Sequence, residues 1–175
     1  MMLIAILRHA KAEKQSASGR DEDRVLSPRG ERRAGELGGL IAGVTRNRRA
    51  AIVSSRAART RQTGEAIAAG CGLQIAFEER LFIDAPASVG VSMVEERVRE
   101  QDLDVLVLVG HNNQVSEVAG VLVAGVLGSS GRGVAPLRTG EGVLLKAPTP
   151  LRLEDSLMGL CEVVREWRRD DETVC

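Results

Sequence analysis

Aromatic residues are scarce in this chain: two Phe, one Trp and no Tyr stand among 175 residues. That argues against the stacking platforms on which nucleic-acid bases rest, and against the aromatic walls of many sugar and cofactor pockets. Histidine is equally rare, with only His9 and His111. Cys71, Cys161 and Cys175 form an odd, widely spaced set without a C-x-x-C pair, so neither a disulfide framework nor a zinc site organises the fold. A reducing, cytoplasmic setting is the expectation. Net charge is missing as well, because Lys+Arg and Asp+Glu balance at 24 each. No overall field then draws the protein to nucleic acid or to a membrane surface, and any anion has to be bound by a local site. Apolar runs are too short to span a bilayer. Met1 to Leu7 has no positive leader and ends in Arg8-His9, while Val115 to Leu127 is interrupted by Glu117 and by glycines and falls short of the roughly 18 residues required.

What is present is enough apolar material, 43%, for a core, in a length suited to one domain covering 1–175. Met2 to Leu7 and Val105 to Val109 are continuous apolar runs, as expected of strands covered on both faces of a parallel sheet, and Ala50 to Val53 is a shorter one. Helical patterns lie between them. One starts at Ser27-Pro28, a capping serine before a proline suited to the first turn, and continues through Leu37, Leu40 and Ile41. Others run from about Ala57 to Ala69 with Gly70 as a stop, from Ser88 to Glu100, and along the apolar stretch after His111. The beginning of Leu73 to Phe82 and Glu141 to Lys146 read as strands, Arg20 to Arg24 and Gly128 to Gly133 as loops. Leu151 to Arg169 reads as a final helix with Leu153, Leu157, Leu160, Val164 and Trp167 on one face. Strands alternating with helices predict an α/β protein, a three-layer α/β/α sandwich around a mostly parallel sheet.

Three of these strands end in residues able to do chemistry: Arg8-His9, then Ser54-Ser55 followed by Arg56 and Arg59, then His111-Asn112. Open parallel sheets bind ligands beyond their carboxyl ends, so both histidines are expected in one crevice. Singly, each has a bland reading as a capping or solvated residue. The cluster Arg56, Arg59 and Arg61 is less easily dismissed, since cations in a first helical turn oppose the helix dipole unless an anion sits among them. The basic groups Arg46, Arg48, Arg49 and Arg168, Arg169 read as solvated charge.

The pieces Leu7 to Glu13, Leu26 to Gly30, Ser54-Ser55 with Arg59 and Thr63, and Val109 to Asn112 occur in the order of the histidine phosphatase superfamily. The chain resembles that family over nearly its whole length, most of all its short phosphohistidine phosphatase (SixA) branch. Leu137-Arg138-Thr139-Gly140 is similar to the branch's late Thr-Gly segment. The resemblance implies a phosphoglycerate mutase-like fold with no cofactor and no metal. It implies His9 as the phosphate-accepting nucleophile, Arg8, Arg59 and His111 as catalytic groups, and these three with Asn112 as the phosphate cradle. Arg56 stands where the family usually has proline, so a shift of that turn would promote Arg56 or Arg61 over Arg59. Attack needs a neutral His9, which Arg8 and Arg59 would favour, while a protonated His111 would help most. Glu78, Glu79 and Asp84 are the candidates for a general acid. Short connections imply an open crevice suited to a phosphorylated protein, such as a histidine phosphotransfer domain. The alternatives are a small phosphorylated metabolite as substrate, or a non-catalytic module that binds a phosphorylated partner.

Overall fold

The computed structural model describes residues 1–100, 102–126, 133–148 and 155–168. Along the chain run β1 (Met2–Arg8), α1 (Pro28–Thr45), β2 (Ala50–Ser54), α2 (Ala58–Cys71), β3 (Ile75–Phe77), α3 (Ala87–Glu100), β4 (Val105–Gly110), α4 (Asn112–Ala124), β5 (Gly142–Ala147) and β6 (Glu162–Trp167). The strands form one mixed six-stranded sheet in the order β3-β2-β4-β1-β5-β6. The β3-β2, β2-β4 and β4-β1 pairings are parallel, whereas β5 pairs antiparallel with β1 and β6 with β5.

Alternate residues of the central strands feed two cores. Ile4, Ile6, Leu106 and Leu108 pack with Met93, Val115, Val118 and Leu122 of α3 and α4. Leu3, Ala5, Leu7, Val105, Val107 and Val109 pack with Leu37 and Ile41 of α1 and Ile67 of α2. Both faces of the sheet are therefore covered, which explains the uninterrupted apolar runs of β1 and β4. The three-layer sandwich is as expected.

The helices begin and end for local reasons. Ser27 Oγ accepts the Gly30 amide at 3.2 Å and Pro28 fills the first turn of α1. Helix α2 stops at Gly72, whose φ of 66° is left-handed, and not at Gly70. Gly70 serves packing instead: a Cβ there would stand 2.9 Å from the carbonyl carbon of Gly38, and one on Gly38 would stand 2.9 Å from the Ala66 carbonyl oxygen. The two helices touch backbone to backbone.

The expected final helix is not formed. Residues 158–160 turn, with Gly159 at φ 73° lying against Gly125, and Glu162–Trp167 then pairs with β5 as an edge strand. Of its residues only Trp167 is buried. The apolar spacing suggested a helix face, yet β-branched Val163 and Val164 beside the open edge of β5 make a strand, with tertiary pairing overriding local pattern. Leu153 and Arg169 lie outside the described residues, as do 128–132 of the expected loop.

Candidate active site

Consider first the strand that carries His9. The β1 chain continues one residue beyond its last sheet position, where the His9 amide donates to Gly110 O at 3.1 Å and the His9 carbonyl accepts from Gly140 N at 3.0 Å. The following amide, Ala10 N, donates to Thr63 Oγ1 at 3.1 Å, and Thr63 Oγ1 donates to Arg59 O at 2.7 Å. Thr63 thus couples the turn after His9 to the first turn of α2.

The His9 ring is 8% exposed, and its Nδ1 lies 2.8 Å from Ala10 O. A carbonyl can only accept, so Nδ1 carries the proton and Nε2 keeps its lone pair. The His9 pKa is pushed down to about 4, mainly by burial, with Arg59, Arg8 and Arg24 adding to the effect against the Ala10 carbonyl. The expected neutral imidazole is present, and burial does more than the arginines to produce it.

His111 follows β4 as the N-cap of α4. Its ring centroid is 5.5 Å from that of His9, at 61° between planes. Nε2 sits 3.2 Å from Ser55 Oγ, and among the described residues no group bonds its buried Nδ1. Burial, then His9 and the arginines, push its pKa down to about 3. Its surroundings therefore favour neutral His111, whereas the protonated form is the one that would help most.

Arg8 donates from Nη1 to Leu137 O at 3.0 Å, and its buried Nε has no partner among the described residues. Two orphaned polar atoms, Arg8 Nε and His111 Nδ1, are costly unless a ligand meets them, at about 1–3 kcal/mol each. Arg59 is 5% exposed and directs both terminal nitrogens at Asp21: Nη1 to the backbone carbonyl at 2.6 Å and Nη2 to Oδ2 at 2.8 Å. The other carboxylate oxygen takes Arg24 Nη1 at 2.6 Å. Hydrogen bonds from Arg24 and Arg59 hold the Asp21 carboxyl below its usual range.

These groups open onto one crevice of about 590 Å³, bordered by Arg8, His9, Arg59, His111, Asn112, Asn113, Arg24, Thr139 and Asp84, with Lys11 and Lys14 on its rim. Of the three arginines of the α2 turn, Arg59 enters it; Arg56 and Arg61 line a neighbouring cavity with Phe77 and Phe82. Of the three candidate acids, exposed Asp84 borders the crevice. Glu78 is bound instead by Arg80 at 3.0 Å and Arg97 at 3.4 Å, and Glu79 is exposed outside the crevice lining.

Sequence reasoning passed over Asp21 and Arg24 as surface charge, and it also took Arg168 for solvated. Arg168 binds buried Glu141 at 3.2 Å and Ala135 O at 3.1 Å, bracing the segment that supplies Leu137 O and Gly140 N to Arg8 and His9. The readable signal for Arg24 was its place two residues before Leu26-Ser27, a motif already singled out. For Arg168 there was none, since it depended on knowing that β6 is a strand. Among the described residues no group of three or more His, Cys, Asp or Glu is placed to hold a metal ion, and no helix is long and apolar enough to cross a membrane.

The arrangement sets an unprotonated histidine Nε2 among arginine side chains at a crevice wide enough for an oxyanion. The pattern of the histidine phosphatase superfamily (branch 1) matches residues 4–82, which include Arg8, His9 and Arg59. A search of curated proteins gives no match. Among solved structures, the protein histidine phosphatase SixA complexed with tungstate is 15% identical, with a TM-score of 0.75 over 95% of this chain and 97% of that one. A structure assigned as phosphohistidine phosphatase SixA from Agrobacterium tumefaciens is 22% identical, with a TM-score of 0.71 over 96% and 98%. A mycobacterial glucosyl-3-phosphoglycerate phosphatase in complex with VO3 is 15% identical, with a TM-score of 0.70 over 97% and 100%. At such identities the likeness establishes the phosphoglycerate mutase-like fold. Residues 4–82 thus carry the histidine phosphatase superfamily pattern, within a chain that shares the fold of the solved SixA structures along nearly its whole length.

Proposed function

We propose that the protein is a metal-independent phosphatase that transfers phosphate to His9 and that its substrate is phosphohistidine on another protein. The observation that carries this reading is the His9 ring, held by Ala10 O so that Nε2 is unprotonated within a nest of Arg8, Arg59 and His111. Nε2 attacks phosphorus in line, forming an N–P bond as the bond to the leaving nitrogen breaks, and the departing imidazole keeps the proton it needs to be a good leaving group. Arg8 and Arg59 balance charge on the equatorial oxygens, and Asn112 lies at the start of α4, where backbone amides favour anions. A phosphate oxygen beside His111 would supply the opposite charge that burial denies it and draw it towards its protonated form. Water then cleaves the N–P bond of phosphorylated His9 and restores the enzyme.

An exposed crevice with a basic rim favours a substrate presented on a protein surface. One observation favours a second reading, a phosphomonoesterase acting on a small metabolite: Asp84 borders the crevice, where it could protonate an alkoxide leaving group. Both kinds of substrate occur in the names of the structural neighbours.

The test is phosphate release from a phosphohistidine peptide and from glycerol phosphate by wild type, His9→Ala and Asp84→Asn. The protein-substrate reading expects peptide turnover that disappears with His9 and survives Asp84→Asn. Turnover of the ester alone, falling about 10²-fold in Asp84→Asn, would establish the second reading. No turnover of either would leave a binding module.

A further inference from the structure

Lysine is rare here: Lys11, Lys14 and Lys146 are the chain's full set against many arginines. Two of the three follow His9 directly, both exposed, on the rim of the catalytic crevice. The same two also line an adjoining trough of about 750 Å³, together with Arg29, Ser27 and Pro28. The trough thus adjoins the crevice along Lys11, Ala12 and Lys14.

Ion pairing is common among the cations of this surface. Arg80 lies between Glu78 and Glu96, Arg49 holds Asp104, Arg33 holds Glu36, and Arg24 and Arg59 share Asp21. Neither the Lys11 nor the Lys14 ammonium has a hydrogen bond or ion pair to another described residue. Both lysines share the lining of the crevice with Arg8, Arg24 and Arg59. Glu13 is the one carboxylate among the described residues lining the trough, beside Lys11 and Lys14.

We propose that Lys11 and Lys14 form a docking strip for acidic side chains flanking the phosphorylated residue of a protein substrate. The inference rests on the protein-substrate reading above. Exposed charges of this kind raise encounter rate and select partners more than they add affinity. Their effect belongs in kcat/KM and fades as salt screens it.

Two phosphohistidine peptides, identical except that four Asp in one replace four Asn in the other, provide the probe. Wild type should turn over the acidic peptide with a kcat/KM about five- to tenfold higher at low salt, and the advantage should shrink at high salt. The double variant Lys11→Ala/Lys14→Ala should treat the peptides alike, while its hydrolysis of phosphoramidate, an N–P compound without flanking residues, stays within twofold of wild type. Equal treatment of the peptides by wild type, or a preference that survives in the variant, would overturn the docking strip. So would a parallel loss on phosphoramidate, which would place the lysines on the phosphate itself. Wild type that hydrolyses glycerol phosphate but neither peptide nor phosphoramidate would remove the protein-substrate reading, and the strip with it.

Discussion

The proposed attack by His9 requires an uncharged imidazole among cationic side chains, and burial favours that form. That solution leaves a mark on stability. In the folded protein the pKa of His9 is lowered to about 4 and that of His111 to about 3, against 6.5 as the ordinary value. As pH falls below 6.5 the unfolded chain takes up protons that the folded chain refuses, so stability present above 6.5 is lost towards pH 4. With two such histidines and no third, the slope between pH 6.5 and 5 should approach about 2–3 kcal/mol per pH unit by denaturant titration, and His9→Asn or His111→Asn should each flatten it by about half. A second expectation concerns Asp21, whose carboxylate and carbonyl occupy both terminal nitrogens of Arg59. Asp21→Ala should remove a competitor for the guanidinium, tightening product inhibition by inorganic phosphate about three- to tenfold. A weaker inhibition would instead mean that Asp21 aims Arg59. That Arg8, His9, Arg59 and His111 meet at one crevice was legible in sequence because each lies at the end of an apolar strand or the start of a helix. The Asp21 contact was not, because an acidic loop residue reveals nothing about which distant arginine it meets.

At the scale of elements, the contact between α1 and α2 decides what a methyl group does at each glycine. In an isolated helix Gly→Ala gains up to about 1 kcal/mol from propensity. A Cβ at Gly35, Gly39 or Gly43 would meet nothing within 4 Å, whereas at Gly38 it would stand 2.9 Å from the Ala66 carbonyl. Gly39→Ala should therefore raise the melting temperature, and Gly38→Ala should lower it, since backbone must shift to admit it at a cost of about 1–3 kcal/mol. Thermal melts of the two variants side by side check the sign. Strands β1, β2 and β4 were readable as unbroken apolar runs, and helices α1 to α4 by their spacing and end signals. Residues 162–167 were not, since an edge strand buries only Trp167 and leaves almost no period to read.

At the scale of the whole molecule, the last strand reaches back to the first. Glu141 is fully buried and is held by Arg138 at 3.0 Å and Arg168 at 3.2 Å, and the segment it anchors supplies the contacts that hold Arg8 and His9. Arg168→Ala should lower kcat/KM on any accepted substrate about tenfold, with a smaller loss for Arg168→Lys, because buried Glu141 loses one of its two arginine partners and the segment loses a brace. Steady-state kinetics alongside a melt would separate this from simple unfolding. The bracing also says where the protein can be handled. A surface tether or fluorophore attached just after Trp167 would pull on Arg168, and one at Met1 would load the strand that ends in His9. The turn at Arg46–Arg48 lies at the amino ends of the parallel strands, away from the crevice, and is the attachment point at which immobilisation should leave turnover intact.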